Sequence, residues 1–320
     1  MRVIGLEEHY MSEVIWDANG DHPLKRLTSP ETQRRLHDLD GQRIADMDAA
    51  GIDVQVLSQT APGPENLPAD LAVRLAAEAN DRVAQAVAAH PDRFAGFATL
   101  PMSDPRAAAG ELERAVDELG FVGALINGNI GGRYLDDESF WPVFERAEAL
   151  GVPIYLHPNI PPQPVVDACY AGFPEAVSLT LATGGWGWHV DTGLHSLRLV
   201  IAGVFDRFPR LQIVIGHMGE SLPSMIWRAD ATLGRVVNLA RPFKDHFYDH
   251  FHITTSGFFD HAPFASALQT FGADRILFSV DYPFSSNTQA RAFLDDLPVT
   301  PTDRAKIAHA NAERLLKLGA

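Results

Sequence analysis

Glu7-Glu8-His9 closes an apolar run, Val3-Ile4-Gly5-Leu6, near the start of the chain. Side chains alternate across a strand, so Glu7 and His9 face one side while Glu8 faces the other. A carboxylate and an imidazole so spaced can reach one divalent ion. The tripeptide alone could equally be an edge strand ending in solvated polar residues. Three other apolar runs end in similar groups: Tyr155-Leu156-His157-Pro158, Ile215-Gly216-His217-Met218-Gly219-Glu220 and Phe278-Ser279-Val280-Asp281-Tyr282-Pro283. Singly, His157 could cap a strand, His217 could fill a polar niche and Asp281 could begin a turn. Together, at ends that converge, they describe a metal site.

Convergence requires elements that bring these ends to one face. Eight β-rich runs recur along the chain: Val3-Leu6, Val54-Ser58, Phe94-Thr99, Gly123-Asn127, Pro153-His157, Ile213-Gly216, His252-Ser256 and Ile276-Ser279. Amphipathic helical stretches separate and follow them, at 30–50, 68–90, 105–119, 138–150, 193–208, 221–237, 260–271, 287–295 and 302–318. Alternating strands and helices imply parallel pairing with right-handed crossovers, and eight such units close an α/β (β/α)8 TIM barrel. An open doubly wound sheet is the alternative, but no glycine-rich phosphate loop follows the first strand. Residues 10–30 and 158–192 are longer than ordinary connections and leave from strand C-terminal ends, where each could cover a pocket. No linker or repeat interrupts the chain, so 1–320 is expected to form one domain.

The chain has 320 residues, 46% of them hydrophobic, and a net charge of -15, which argues against nucleic acid and anionic membranes as partners. The lone cysteine, Cys169, excludes an internal disulfide and a cysteine-rich metal site. Glu7, Glu8 and His9 interrupt the first apolar run before a signal-peptide core could form, and no run reaches the about 20 apolar residues of a membrane helix. A cytoplasmic, soluble protein is the expectation.

The set Glu7-x-His9, His157-Pro158, Gly216-His217-Met218-Gly219-Glu220 and Asp281-Tyr282-Pro283-Phe284 resembles the amidohydrolase superfamily. Within it, the chain most resembles the amidohydrolase-2 branch of metal-dependent, non-oxidative decarboxylases that includes the γ-resorcylate (2,6-dihydroxybenzoate) decarboxylases. Pro91-Asp92-Arg93-Phe94, Thr254-Thr255-Ser256-Gly257 and Asn311-Ala312-Glu313-Arg314 extend the likeness nearly end to end. The resemblance implies Glu7, His9, His157 and Asp281 as ligands of one divalent metal ion, and His217, Asn127 and Arg228 at the substrate. Many hydrolytic members instead carry His-x-His on the first strand and a bridging lysine on the fourth; Gly123-Ala124-Leu125-Ile126-Asn127 offers no lysine. Ser285 and Ser286 after Phe284, His252, and Phe258-Phe259 depart from the branch's usual residues.

Two carboxylates and two neutral imidazoles suit Mn²⁺ foremost, with Zn²⁺ or Mg²⁺ as alternatives. A small aromatic acid bearing an ortho hydroxyl could chelate through both oxygens. Asp281 is the expected proton donor to the ring, a carboxyl held protonated on arrival of an anionic substrate. His217 could hydrogen-bond the substrate and shuttle the proton, with Glu220 orienting its imidazole or capping the following helix. Arg228 and Asn127 are the expected substrate contacts. The reading is a carboxy-lyase. A lactone or amide hydrolase, a hydratase of an unsaturated dicarboxylate, and a silent binding barrel are the alternatives. The resemblance further implies a homo-oligomer, a dimer or a tetramer, and the apolar excursion at 173–189 suits an interface.

Overall fold

The computed structural model describes residues 1–319. Its strands are β1 (Ile4–Tyr10), β2 (Val54–Gln59), β3 (Phe94–Gly96), β4 (Ala98–Thr99), β5 (Ala124–Asn127), β6 (Ile154–His157), β7 (Ile213–Ile215), β8 (Phe251–Thr254) and β9 (Ile276–Leu277). Neighbours pair in parallel, in the orders β1-β2-β3 and β4 through β9. The run Phe94–Thr99 is one strand broken at Phe97, whose amide donates to Leu57 O at 2.9 Å while that of Ala98 donates to Gly123 O at 2.8 Å. The ring closes through a parallel bridge of Glu8 with Tyr282, where His9 N donates to Tyr282 O at 2.7 Å and Asp281 N to Glu7 O at 3.0 Å. The result is the eight-stranded barrel expected from the alternation of elements.

Two apolar layers follow from the pleat. Ile4, Leu6, Val56, Phe97, Leu125, Tyr155, Val214 and Leu277 fill the barrel and meet Ala312 and Leu316 of the closing helix. Val3, Leu57, Ile126, Leu156, Ile215 and Ile253 face outward against the helices through Val83, Leu112, Phe144 and Leu199. At β1 the alternation breaks, with a register shift between Gly5 and Glu8. A Cβ on Gly5 would lie 2.3 Å from Glu8 Oε1, so these two share the outer side. Leu6 and Glu7 consequently both face inward, as an extra residue in a bulge allows.

Several helices differ from expectation. The stretch 30–50 divides into Pro30–His37 and Gly41–Ala50, because the Asp38 carboxylate accepts from Asp40 N at 2.9 Å and Arg43 N at 3.0 Å and so caps the second helix. The stretch 193–208 starts earlier, at Gly187, and stops at Ile201 before Gly203, whose φ of 74° a helix cannot accommodate. The closing helix holds a π turn at Lys306–Ala310, and Phe243–His250 is a helix not anticipated. Both long excursions are largely helical: Glu13–Ala18 and Pro23–Leu27 lie in the first, Glu175–Ala182 in the second. Among the described residues, no helix is long and apolar enough to cross a membrane.

Candidate active site

Glu7 sits at the centre of the strand C-terminal end. Its Oε1 lies 3.2 Å from His157 Nε2, 3.5 Å from His217 Nε2 and 3.6 Å from His9 Nε2. Asp281 Oδ1 lies 3.3 Å from His9 Nε2, and its Oδ2 lies 3.9 Å from His217 Nε2. Glu7 and His9 are fully buried, yet Glu7 Oε1 and His9 Nε2 have no hydrogen-bond partner. Burying such atoms unpaired is costly. Donor atoms held about 2.0–2.3 Å from one divalent ion lie about 3–3.5 Å apart, so these spacings fit an ion.

Glu7, His157 and His9 are each aimed by a second bond on the same side chain. Glu7 Oε2 accepts from the Tyr155 and Ser256 hydroxyls, which leaves Oε1 free. His157 Nδ1 donates to Pro158 O at 2.8 Å and His9 Nδ1 meets Ser58 Oγ at 3.3 Å, so both Nε2 atoms turn to the centre. Tyr155 precedes His157 by two residues on β6, and alternation could have revealed it. Ser256 could be found only through the fold.

Charge compensates burial here. Burial pushes the Glu7 carboxyl up, but the imidazoles of His217, His157 and His9 outweigh it and hold the group well below the usual carboxylate range. Burial pushes His9 down, yet Asp281 and Glu7 together raise it to about 9.

Gly216 shows how tightly the centre is packed. Its backbone, at φ −78° and ψ −170°, suits any residue, but a Cβ would lie 2.6 Å from Glu7 Oε2 and 3.0 Å from the Tyr155 hydroxyl. Gly216→Ala is therefore expected to turn Glu7 away and weaken divalent-ion binding at least about tenfold, the loss of one aimed charged ligand. Ion content after dialysis, alongside an unchanged circular dichroism spectrum, is the measurement. Full retention would show that the carboxylate can step aside.

His217 Nδ1 and His189 Nδ1 each lie 2.7 Å from a different oxygen of Glu220. The Glu220 carboxylate thus fixes the His217 tautomer, with Nε2 toward the centre, rather than capping a helix. His189 was not anticipated, because it belongs to the helical second excursion. Backbone strain concentrates at this end: His217, Met218, Glu220, Ser221 and Asp281 all have positive φ, from 52° to 72°.

A cavity of about 300 Å³ opens onto this cluster. His9, His157, His217 and Asp281 form its floor, and Leu24, Leu27, Trp188 and Phe284 its sides. The two excursions supply Leu24, Leu27 and Trp188, as their exit from strand ends implied. The buried Trp188 indole N–H has no partner. Asn127 and Arg228 do not join the lining. Asn127 is buried, with Nδ2 donating to Glu65 Oε1 at 2.8 Å, and Glu65 was also unforeseen. Arg228 is exposed on Leu222–Leu233, away from the cavity of its own chain.

The chain is similar to known proteins along nearly its whole length. A γ-resorcylate decarboxylase of Rhizobium sp. (strain MTP-10005) is 41% identical over 98% of this chain and 98% of its own. A solved 2,6-dihydroxybenzoate decarboxylase in complex with 2,6-dihydroxybenzoate superposes with a TM-score of 0.89 at 41% identity, covering 99% of this chain and 100% of the other. The dihydroxybenzoic acid decarboxylase of Polaromonas sp. JS666, solved with bound manganese and the inhibitor 2-nitroresorcinol, gives 0.89 at 39% identity, covering 99% and 97%. The family model described as amidohydrolase matches residues 15–318. A buried carboxylate-imidazole cluster at the C-terminal end of a closed parallel barrel, and likeness along the whole chain, lead to one assignment: the chain belongs to the amidohydrolase family.

Proposed function

We propose that the protein is a metal-dependent carboxy-lyase that removes CO2 from an ortho-hydroxylated benzoate and releases a phenol. The observation that carries this reading is the pair of unpartnered buried atoms, Glu7 Oε1 and His9 Nε2, beside Asp281 on the floor of a ring-sized cavity. Glu7, His9, His157 and Asp281 would hold one divalent ion, Mn²⁺ foremost. When bound, that ion supplies a chelation point for the carboxylate and the neighbouring hydroxyl and draws charge from the substrate.

This chain's residues do the rest. Leu24, Leu27, Trp188 and Phe284 enclose the ring. Asp281 gives a proton to the ring carbon that bears the carboxylate. The electron pair of the breaking C–C bond then returns to the ring as CO2 leaves, and Asp281 regains its proton from water. His217, oriented by Glu220, hydrogen-bonds a substrate oxygen. Asn127 would act on substrate by steadying its strand end next to His157, its partner in register.

Incubating the Mn²⁺-loaded protein with a set of hydroxybenzoates, following each aromatic spectrum and the CO2 released, tests the reading. A metal-replete protein inert toward the whole set would move the weight to a lactone or amide hydrolase.

Metal binding carries a pH dependence of known sign. With His9 raised to about 9, the metal-free imidazole holds a proton at neutral pH that an ion must displace. Rising pH removes that competitor, so Mn²⁺ affinity is expected to increase roughly tenfold per pH unit below about 9. Titration calorimetry in buffers of different ionisation enthalpy checks this through proton release. An affinity flat from acidic to alkaline pH would refute it.

The oligomer belongs to the same reading. Met225 and Trp227, exposed by 52% and 76%, flank Arg228 on one helix, and Val236 just beyond is 79% exposed. A second copy covering this face would remove apolar surface from water and offer Arg228 a route to a cavity other than its own. A monomeric mass by light scattering at micromolar concentration would remove this part of the proposal.

A further inference from the structure

A cavity of about 530 Å³ lies at the opposite, N-terminal end of the barrel. Pro153, Gln212, His252 and Arg275, each within one residue of the start of β6, β7, β8 or β9, meet Arg314 of the closing helix and Lys317 at its end there. None of them takes part in the site described above.

Asp274 shares this wall, yet among the described residues Arg275, Arg314 and Lys317 form no salt bridge. Arg275 Nη1 donates to Gln212 Oε1 at 2.9 Å and His252 Nε2 at 2.8 Å. Arg314 donates to Asp274 O and Asn311 Oδ1, both at 2.9 Å, and Lys317 to Leu150 O at 3.2 Å. Among the described residues, every one of these acceptors is neutral. The nearby Asp274 carboxylate is engaged by Lys306 at 2.9 Å, and Arg210 on the rim lies 3.7 Å from Glu148. Burial pushes the Arg275 guanidinium down and Arg314 adds to that, while the Asp249 and Asp274 carboxylates push it back up in part. In a chain of net charge -15, three cations gathered round one hollow with none of them in a salt bridge are unusual.

His252 positions Arg275 as a neutral acceptor. A guanidinium can only donate, so His252 Nε2 accepts and the ring proton resides on Nδ1. That Nδ1 is buried and has no acceptor. Burial pushes this imidazole down to about 3, which keeps it neutral.

We infer that this cavity binds a phosphate group, as inorganic phosphate or as a phosphomonoester. Several oxygens carrying more than one negative charge match two guanidinium forks and an ammonium, whereas a single carboxylate would leave cations unpaired. The volume leaves room for an organic portion beside the phosphate. Strand β6 runs from this wall at Pro153 to His157 at the other end, so the ligand acts as an effector or stabiliser rather than a substrate.

Calorimetric titration of the full chain with inorganic phosphate and with glycerol 3-phosphate, at ionic strength held constant with sodium chloride, tests the inference. One saturable site per chain is expected. Arg314→Gln/Lys317→Gln, a double variant in exposed side chains, should bind phosphate at least tenfold more weakly with an unchanged circular dichroism spectrum. Tighter binding of the monoester would assign an organic phosphate, and no preference would assign inorganic phosphate. Absence of saturable binding beyond the chloride control overturns the inference, as does binding that survives in the double variant and so belongs to the metal end.

Discussion

Asp281→Asn is expected to lower kcat by about a thousandfold while the chain still retains its divalent ion and still binds the aromatic acid, a loss of the size seen when a positioned proton donor is removed. The amide keeps an oxygen where Asp281 Oδ1 now stands, 3.3 Å from His9 Nε2, so a ligand role largely survives. What the amide cannot do is hand a proton to a ring carbon and take one back. The position allows the distinction, because Asp281 lines the cavity and its side chain is 16% exposed, open to both ring and water. The measurements are single-turnover CO2 release and metal content of the same sample. Turnover within tenfold of the parent would remove Asp281 from the proton-transfer role. Loss of metal together with turnover would make it a ligand alone.

Glu8→Ala should cost about 3 kcal/mol or more in unfolding free energy, although Glu8 touches neither cavity nor ion. Its Oε1 accepts from Val280 N at 2.9 Å and Ser279 Oγ at 3.2 Å, and its Oε2 from Tyr282 N and Gln55 Nε2, each at 3.3 Å. Alanine would leave these donors unpaired in a place where Glu8 is fully buried. Burial pushes the carboxyl up to about 8, against the backbone donors and the nearby Arg43 cation, so the group sits in a finely opposed environment. Arg43, itself fully buried, would lose one of the acidic groups that act on it, beside Asp38 and Asp46. Because Glu8 pins residues 279–282, the variant should lose metal affinity as well. The urea midpoint and metal content, compared with Glu8→Gln, decide the matter. A midpoint within a few tenths molar of the parent would show that solvent or rearrangement satisfies those donors.

The buried carboxylate-imidazole cluster was legible because each member stands at the end of a recognisable apolar run. In a parallel barrel all such ends reach one face, so residue type and position along the run were enough for Glu7, His9, His157, His217 and Asp281. Glu220 was readable too, three residues after His217. Asn127 and Arg228 were not resolved in the same way. Whether a strand-end amide turns to the cavity depends on what lies beside it, and Glu65, distant in sequence, takes the Asn127 Nδ2. Arg228 lies exposed on a helix and does not line the cavity of its own chain, which its local pattern could not tell.

Charge, hydropathy and the period of the apolar runs thus determined a closed α/β barrel and the chemistry gathered at one end of it, because both follow from local alternation that any chain segment must obey. The tertiary structure alone decided how that chemistry is aimed. Uninterrupted alternation from Ile4 would have sent Glu7 outward with Gly5; the register shift against β2 places Leu6 and Glu7 on the same side and sends Glu8 into the outer layer. The Tyr155 and Ser256 hydroxyls, from strands far apart in sequence, then select which Glu7 oxygen remains free. A register shift and a hydrogen bond between distant strands are settled by closure of the whole barrel, whose packing and paired backbone outweigh the preference of any single run.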